Sequence, residues 1–539
     1  MNNSRNEDSP DQTQRRARVC VPVSPRRASE LTEAFARASR VADLVEIRFD
    51  SLDREELEAA PTALASLLET STCPLVLTLR PKEQGGARDV STDEREHFWR
   101  RVAQELQRRA RASDANVTPN VKHFADLELD GGPSAETCAA LARVCQIIRS
   151  QHDFAGGAED LARVYERAKA SDAEAIKVAV TARDATDCLH VFRLLERAQA
   201  EGRPTIAVAM GRAGVATRVL APSRGALFTY AALDGESANA PGQLASQELR
   251  ELYRVDAIDA RTLITGVVGS PVAHSLSPVM HNRAFAARAL NAVYLPFEVT
   301  DVEAFVRRMV RPRTREFQWN LRGLSVTAPH KAAILPLLDG ITPRARAIGA
   351  VNTVVVRQDG ELHGDNTDAE AFAAPIRELT ELRDERVAVL GAGGAARGVA
   401  WSLRELGARV TVFARDIERA RALAADFDAE AAPLEGASLG KFVLVVNATP
   451  LGTRGPLEAL TPATSAQLGG ARFAYDLVYN PTDTSFLREA RAAGCETVGG
   501  LSMLVAQAVE QFKLWTGEDA PSEVMRSAAR KKLDRGAIV

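Results

Sequence analysis

Short runs that are apolar or alternate apolar with polar recur near residues 18–22, 43–48, 74–80, 124–129, 145–150, 175–181, 204–209 and 225–229. Longer stretches rich in Ala, Arg, Glu and Leu separate them, a pattern that predicts strands alternating with helices in a parallel α/β architecture. Eight βα units in this length predict a TIM-type (β/α)8 barrel. A helical segment, Gln243 to Val255, then leads to a fresh strand over Leu263–Val268, so a boundary is expected near residue 260. Beyond it, a mostly βα region runs to about Leu382, followed by a strand over Arg386–Leu390 and a glycine turn. The expected division is a disordered tail (1–17), a barrel (18–258), a substrate lobe (262–382, completed by 500–539 as the last helices return) and a nucleotide-binding Rossmann lobe (383–499).

Within the barrel strands, alternate side chains point inward to the barrel and outward to the helices. In Asp43–Asp50 the outward set is Val45, Ile47 and Phe49, and the inward set is Leu44, Glu46 and Arg48. Leu75–Arg80 places Val76, Thr78 and Arg80 inside, and Ala175–Thr181 places Lys177 inside between the small Ala175 and Ala179. A buried lysine is costly unless its charge is paired or its pKa falls, and a desolvated lysine is suited to form a Schiff base with a carbonyl substrate. The alternative is a structural salt bridge from Lys177 to Glu46 or Glu128.

Composition narrows the function classes. The 539 residues exceed a single core and suit two or three domains. A net charge of -3 with 26% charged residues gives no basic excess for nucleic acid, so small polar or anionic substrates fit better. Cys20, Cys73, Cys138, Cys145, Cys188 and Cys495 are scattered, with no C-x-x-C pair and no histidine cluster, which argues against a metal site and a disulfide framework. No apolar run approaches the roughly 20 residues of a membrane span, and a cytoplasmic protein is expected.

The ordered set Glu46-x-Arg48-x-Asp50, Thr78-Leu79-Arg80, Asp126-Leu127-Glu128, His152-Asp153-Phe154, Lys177 and Ala240-Pro241-Gly242-Gln243 resembles type I 3-dehydroquinate dehydratases over nearly all of residues 18–255. The resemblance implies that Lys177 forms an imine with the substrate ketone, which acidifies the adjacent C–H bond, and that His152 is the general acid and base. It assigns Glu46, Arg80 and Glu128 to shaping the site. Arg48 and Arg218, the latter after Met210-Gly211-x-x-Gly214, would bind hydroxyls and the carboxylate. Gln243 would lie on a loop that closes over the substrate, and Asn239 stands in that loop where serine is common.

In the second half, the run Val387–Ala396 reads as a strand, a glycine turn (Gly391, Gly393, Gly394) and a helix start at Ala395, a spacing that lets backbone amides approach a pyrophosphate. The next strand, Arg409–Phe413, ends in Ala414-Arg415-Asp416 rather than in an acidic residue for an unphosphorylated ribose. Arg415 and Arg419, one turn later, favour the 2′-phosphate of NADP; the alternative places both on a solvated helix face. Ser275-Leu276-Ser277, Ser325-Val326-Thr327-Ala328-Pro329-His330-Lys331, Gly349-Ala350-Val351-Asn352-Thr353 and Asp365-Asn366-Thr367-Asp368 occur in the order and spacing of shikimate dehydrogenases. Asn447-Ala448-Thr449-Pro450, Asp476-Leu477-Val478-Tyr479-Asn480-Pro481 and Gly500-Leu501-x-Met503-Leu504-x-x-Gln507 complete a resemblance spanning roughly 262–539.

On that resemblance, Lys331 and Asp368 form the catalytic pair. Ser275, Ser277, Thr327, Asn352, Tyr479 and Gln507 bind substrate, and Gly391, Gly393, Gly394, Ala395, Arg415, Arg419, Asn447 and Thr449 hold NADP. Ser325 replaces a frequent asparagine, Ala369 a frequent glycine, and Ala414 and Asp416 flank Arg415 unusually. The two resemblances describe consecutive chemistry: dehydration of 3-dehydroquinate yields the ketone that the second half reduces to shikimate. Two alternatives stay open, a second half acting on quinate and a metabolite-sensing regulator that has kept these folds.

Overall fold

The computed structural model describes residues 16–71, 73–112, 122–154, 160–235, 242–534 and 536. The chain divides into two units, Met1–Thr262 and Leu263–Val539. Residues 1–15 of the expected tail, and Asn239, Ala240 and Pro241 of the expected closing loop, lie outside the described residues. Arg16, at the end of that tail, pairs with Asp256 at 3.3 Å, and Ala17 is buried.

In the first unit, β1 (Val19–Val23), β2 (Leu44–Arg48), β3 (Leu75–Thr78), β4 (Phe124–Glu128), β5 (Gln146–Asp153), β6 (Ala175–Thr181), β7 (Thr205–Met210) and β8 (Thr229–Tyr230) form one parallel sheet. Its order is β7-β6-β5-β4-β3-β2-β1-β8. Thr205 also bridges Ala226, and its carbonyl accepts from Leu227 N at 2.8 Å, which brings the two ends of the sheet together. The result is an α/β barrel. β5 runs on to Asp153, beyond the expected end at 150, because β6 pairs with it as far as Val180. The last strand is shorter than expected, since the residues before Thr229 are engaged by β7 instead.

Cys20, Leu44, Val76, Phe124, Ile148, Ala175, Ile206, Phe228 and Tyr230 pack together in the barrel interior. Two positions further along β2 to β6, the same inward face carries Glu46, Thr78, Asp126, Ser150 and Lys177, all buried. Fully burying a large apolar side chain contributes about 1.5–3 kcal/mol. An apolar layer of this kind offsets the cost of the charged layer above it.

The second unit contains two sheets. In the first, β9 (Leu263–Gly269), β10 (Ala292–Glu298), β11 (Leu321–Val326), β12 (Gly340–Ile341), β13 (Thr353–Val356) and β14 (Leu362–Asp365) lie in the order β10-β9-β11-β13-β14-β12. β13 runs antiparallel to both β11 and β14, so this lobe is less purely βα than its sequence suggests. The connection from β13 to β14 closes as a turn in which Arg357 N donates to Glu361 O at 2.9 Å. A link that short returns only antiparallel.

The second sheet is wholly parallel: β15 (Arg386–Leu390), β16 (Arg409–Ala414), β17 (Glu430–Pro433), β18 (Leu444–Asn447), β19 (Phe473–Asp476) and β20 (Glu496–Val498), in the order β17-β16-β15-β18-β19-β20. The order reverses between β15 and β18, and open α/β sheets bind ligands at the carboxyl ends of strands beside such a switch. The helices Gly500–Thr516 and Ser522–Asp534 join the first sheet's core, where Val505, Phe512, Trp515 and Met525 pack with Val267, Met280, Phe285 and Tyr294. No helix among the described residues is long and apolar enough to cross a membrane.

Candidate active sites

The first candidate site lies at the carboxyl end of the barrel strands. Lys177 projects inward from β6, 7% exposed, and its Nζ donates to Asp126 Oδ2 at 2.8 Å, to Tyr230 Oη at 2.8 Å and to Glu46 Oε1 at 3.3 Å. The Tyr230 ring also lies against the ammonium, 4.4 Å from centroid to Nζ. Glu46 Oε1 accepts from Thr78 Oγ1 at 2.9 Å. Arg80 donates to Asp126 Oδ2 at 2.6 Å, Glu128 Oε1 at 3.0 Å and Ser150 Oγ at 2.6 Å. The lysine's salt-bridge partners are thus Glu46 and Asp126, whereas Glu128 serves the arginine.

Charge in this layer is balanced by pairing. Burial by itself would raise the Asp126 pKa, but Arg80 and Lys177 outweigh it and hold the carboxyl well below its usual range. For Glu128, burial prevails over Arg80 and the pKa rises. His152, on β5, is pushed well below the ordinary imidazole value by burial and then by the positive charges of Arg80 and Lys177. Its ring is therefore neutral at pH 7 and stacks against Phe154, and its Nδ1 has no hydrogen-bond partner among the described residues. A neutral imidazole beside a cavity is able to accept a proton.

A cavity of about 770 Å³ joins these groups, lined among others by Glu46, Arg48, Arg80, His152, Lys177 and Arg218. Gln243 borders it too. Arg48 is held by Asp50 in a bidentate pair at 2.9 and 2.8 Å. Arg218 is 2% exposed in the helix Val215–Leu220, and burial lowers its pKa to about 10. Gly242, at φ +70, sits so close to Gly211 that a Cβ would come within 2.2 Å of the Gly211 carbonyl oxygen, and this packing brings the adjacent Gln243 to the cavity.

The second candidate site is a cleft of about 1270 Å³ in the second unit. Lys331 Nζ and Asp368 Oδ2 stand 2.6 Å apart, about a quarter and a fifth exposed. Lys331 O accepts from Val351 N at 2.8 Å, and Asn352 Oδ1 accepts from Thr367 N at 2.8 Å, so the segment around Asn352 ties the lysine's turn to the start of the helix Asp368–Leu379. Ser275, Ser277, Thr327, Asn352, Tyr479 and Gln507 all line the cleft. Gly394 and Ala395 border it as well, where the helix Gly394–Glu405 begins.

Next to it in the same unit, a cleft of about 1200 Å³ is bordered by Gly391, Gly393, Arg415, Arg419 and Thr449. Gly391 has φ +111, and a Cβ there would lie 3.0 Å from the Ala448 carbonyl oxygen. Around Gly393 and Gly394 a Cβ would meet nothing within 4 Å, which leaves the helix start open to a pyrophosphate. Arg415 is exposed at the cleft, and Asp416 Oδ1 caps the next helix by accepting from Glu418 N and Arg419 N at 3.1 and 3.2 Å. The residues fit a phosphorylated dinucleotide. Asn447 lies beneath the cleft rather than on it: it is fully buried, Thr449 N and Oγ1 donate to its Oδ1 at 2.9 and 2.7 Å, and its Nδ2 donates to Asp476 Oδ1 at 2.9 Å.

Sequence reasoning missed Asp126 and Tyr230 as partners of Lys177, and Gln84, whose Oε1 accepts from His152 N at 3.2 Å. It also missed Gln511, which lines the second cleft and accepts from Ser325 Oγ at 2.7 Å. Signals existed for two: Asp126 is two residues before the inward Glu128, and Gln511 is one helical turn after Gln507.

Residues 19–260 match the family of type I 3-dehydroquinase, and 267–354 match the shikimate dehydrogenase substrate binding domain. Residues 374–450 match shikimate / quinate 5-dehydrogenase, and 500–530 the shikimate 5'-dehydrogenase C-terminal domain. Over 530 residues the chain is 32% identical to a chloroplastic bifunctional 3-dehydroquinate dehydratase/shikimate dehydrogenase of Arabidopsis thaliana, covering 94% of this chain and 83% of that one. It is 40% identical over 280 residues to a shikimate dehydrogenase (NADP(+)) of Carboxydothermus hydrogenoformans, covering 50% of this chain and 98% of the relative. A solved shikimate 5-dehydrogenase of Thermus thermophilus, in complex with NADP(H) and shikimate, is 41% identical with a TM-score of 0.45, covering 50% of this chain and 99% of that one.

Proposed function

Since this chain belongs to the bifunctional 3-dehydroquinate dehydratase/shikimate dehydrogenase family, we propose that Lys177 and His152 carry its dehydration step and that Lys331 and Asp368 carry its reduction. The enzyme dehydrates 3-dehydroquinate to 3-dehydroshikimate and reduces that ketone to shikimate with NADPH, two successive steps of the shikimate pathway.

In the barrel, the observation that carries the reading is a sheltered lysine amine opening on the same cavity as a neutral histidine. Lys177 condenses with the ring ketone, the resulting iminium acidifies the neighbouring C–H bond, and His152 takes that proton and later returns one to the departing hydroxyl. Arg48 and Arg218 present charged donors to the substrate carboxylate and hydroxyls, with Gln243 at the border of the same cavity.

In the second unit, Lys331 sits where it can protonate the alkoxide that forms as a ketone is reduced, and Asp368 orients the amine and the substrate. Ser275, Ser277, Thr327, Asn352, Tyr479 and Gln507 bind the polyol acid. Gly391, Gly393 and the start of the helix Gly394–Glu405 hold the dinucleotide, and Arg415 and Arg419 meet its 2′-phosphate. NADPH, when bound, supplies the hydride. Shikimate rather than quinate is the proposed substrate of this unit. A cytoplasmic setting is proposed with it, supported by six cysteines that are all unpaired.

The test is to feed 3-dehydroquinate and NADPH to the purified chain and follow dehydroshikimate and shikimate together. Transient dehydroshikimate followed by shikimate is expected. Faster NADP+ reduction with quinate than with shikimate would reverse the substrate choice.

A further inference from the structure

We infer that Tyr230 is a further catalytic residue of the dehydratase: its hydroxyl carries the proton that the Lys177 ammonium must lose before it attacks the ketone, and hands it to Glu46. The inference rests on the assignment of Lys177 as the imine-forming lysine.

An ammonium has three N–H bonds and no lone pair, and those of Lys177 are directed at Asp126 Oδ2 (2.8 Å), Tyr230 Oη (2.8 Å) and Glu46 Oε1 (3.3 Å). The resting amine is therefore fully hydrogen-bonded and cannot attack until one proton leaves. Asp126 is the poorer acceptor, because Arg80 shares the same oxygen at 2.6 Å and the pair of cations holds that carboxylate ionised. Of the two acceptors that remain, Glu46 is reached directly only at 3.3 Å, and Tyr230, at 2.8 Å, offers the shorter first step. Its hydroxyl accepts from Nζ and donates to Glu46 Oε1 at 3.4 Å, so the three groups form a directed chain from amine through phenol to carboxylate. Burial, then the charge of Glu46, raises the phenol pKa well above its usual value, which keeps the hydroxyl protonated and able to pass on a proton as it receives one. Tyr230 ends the short β8 and borders the cavity, so its oxygen is also placed to meet the substrate oxygen bound to the reacting carbon.

The step balances without a further reactant. One N–H bond of Lys177 breaks and its proton goes to Tyr230 Oη, while the Tyr230 proton goes to Glu46 Oε1. The lone pair left on Nζ forms the C–N bond as the carbonyl π pair moves to oxygen, and a proton shift from nitrogen to that oxygen gives the neutral carbinolamine. The proton parked on Glu46 then returns through Tyr230 to the carbinolamine oxygen, the C–O bond breaks, and water leaves as the nitrogen lone pair closes the iminium. Ammonium and ketone have become iminium and water, and Tyr230 and Glu46 end as they began.

The test is a rapid-quench reaction of the full chain with 3-dehydroquinate, stopped with borohydride, with the modified lysine located by peptide mapping. In the parent protein the adduct is expected on Lys177; an adduct on a different lysine would remove the assignment on which the inference stands. Tyr230→Phe keeps the ring against the ammonium and deletes only the hydroxyl, and it should reach the same final adduct yield at a rate at least about tenfold lower. With Lys177 labelled in both proteins, a Tyr230→Phe rate within twofold of the parent overturns the role of Tyr230 and leaves that of Lys177 intact. Incorporation of 3-fluorotyrosine at position 230 preserves packing and changes only the acidity of the phenol, which guards against misfolding of the phenylalanine variant. An altered rate of imine formation in that protein supports the relay, and an unaltered rate refutes it.

Discussion

The Asp126 carboxylate accepts from Lys177 Nζ at 2.8 Å, and both groups are almost completely enclosed in the barrel. The same oxygen accepts from Arg80, so one carboxylate bridges two buried cations, with Glu46 and Glu128 each pairing one of them as well. Breaking an isolated buried charge pair costs about 3–5 kcal/mol, and here, where Glu46 and Glu128 keep part of the compensation, the loss should approach the lower end of that range. Asp126→Asn keeps the shape and deletes the charge, and denaturant unfolding of the barrel should show a loss of that size. A loss below about 1 kcal/mol would mean that the aspartate is not what holds the two cations in place.

Lys177→Ala should abolish the borohydride-trapped adduct and lower dehydratase kcat by at least about a thousandfold. Shikimate oxidation by the same preparation should stay within twofold, since Lys331 and Asp368 belong to the other unit. Parallel loss of both activities would show that the units do not act separately.

Lys331→Ala is the mirror case. Loss of a general acid at the reacting oxygen typically costs about 10²–10⁴-fold, so dehydrogenase kcat should fall by that much while dehydration persists. A variant that kept its kcat and merely raised KM would reduce Lys331 to a binding role.

Arg415→Ser should raise KM for NADPH about tenfold and leave KM for NADH nearly unchanged. A charge-assisted hydrogen bond contributes about 1.5–3 kcal/mol, and exposure of Arg415 at the cleft favours the lower end. An equal change for both cofactors would place the 2′-phosphate elsewhere.

The barrel should also lose stability in mild acid. Burial and then the charges of Arg80 and Lys177 depress the His152 pKa, and burial followed by Arg109 lowers that of His123 to about 4, where His123 Nδ1 accepts from Leu75 N at 3.2 Å. The unfolded chain binds these protons near pH 6.5 and the folded barrel does not, so stability is full above that value and falls as pH drops from about 6.5 toward 4. Each histidine contributes a slope of up to about 1.4 kcal/mol per pH unit. Hydrogen exchange of the strand amides from pH 7 to 4.5 reads this directly, and His123→Gln should flatten the dependence. Protection that stays level across this range would contradict the depressed values.

Much of this molecule was legible in one dimension because strand alternation is a local rule. The inward sets Leu44, Glu46 and Arg48, and Val76, Thr78 and Arg80, follow from a period of two, and so does the enclosed position of Lys177. The glycine turn after Leu390 was equally readable, because a glycine following a strand marks a turn that side chains rarely adopt, and Gly391 takes φ +111. The order of motifs then named the chemistry.

Partnership across strands was another matter. Whether Lys177 would meet Glu46, Glu128 or Asp126 depends on register and barrel curvature, which no local pattern encodes, and the answer joined residues 51 and 131 positions apart. Tyr230 reaches the amine because β8 closes beside β1, an outcome of the whole sheet rather than of Thr229-Tyr230. Asn447 reads in sequence like a cofactor ligand, yet the tertiary fold spends its amide on Thr449 and Asp476 below the cleft. Chain periodicity determined which side chains face inward; only the closed three-dimensional arrangement decided which of them touch, because hydrogen bonds are set by distances of tenths of an ångström that sequence spacing cannot specify.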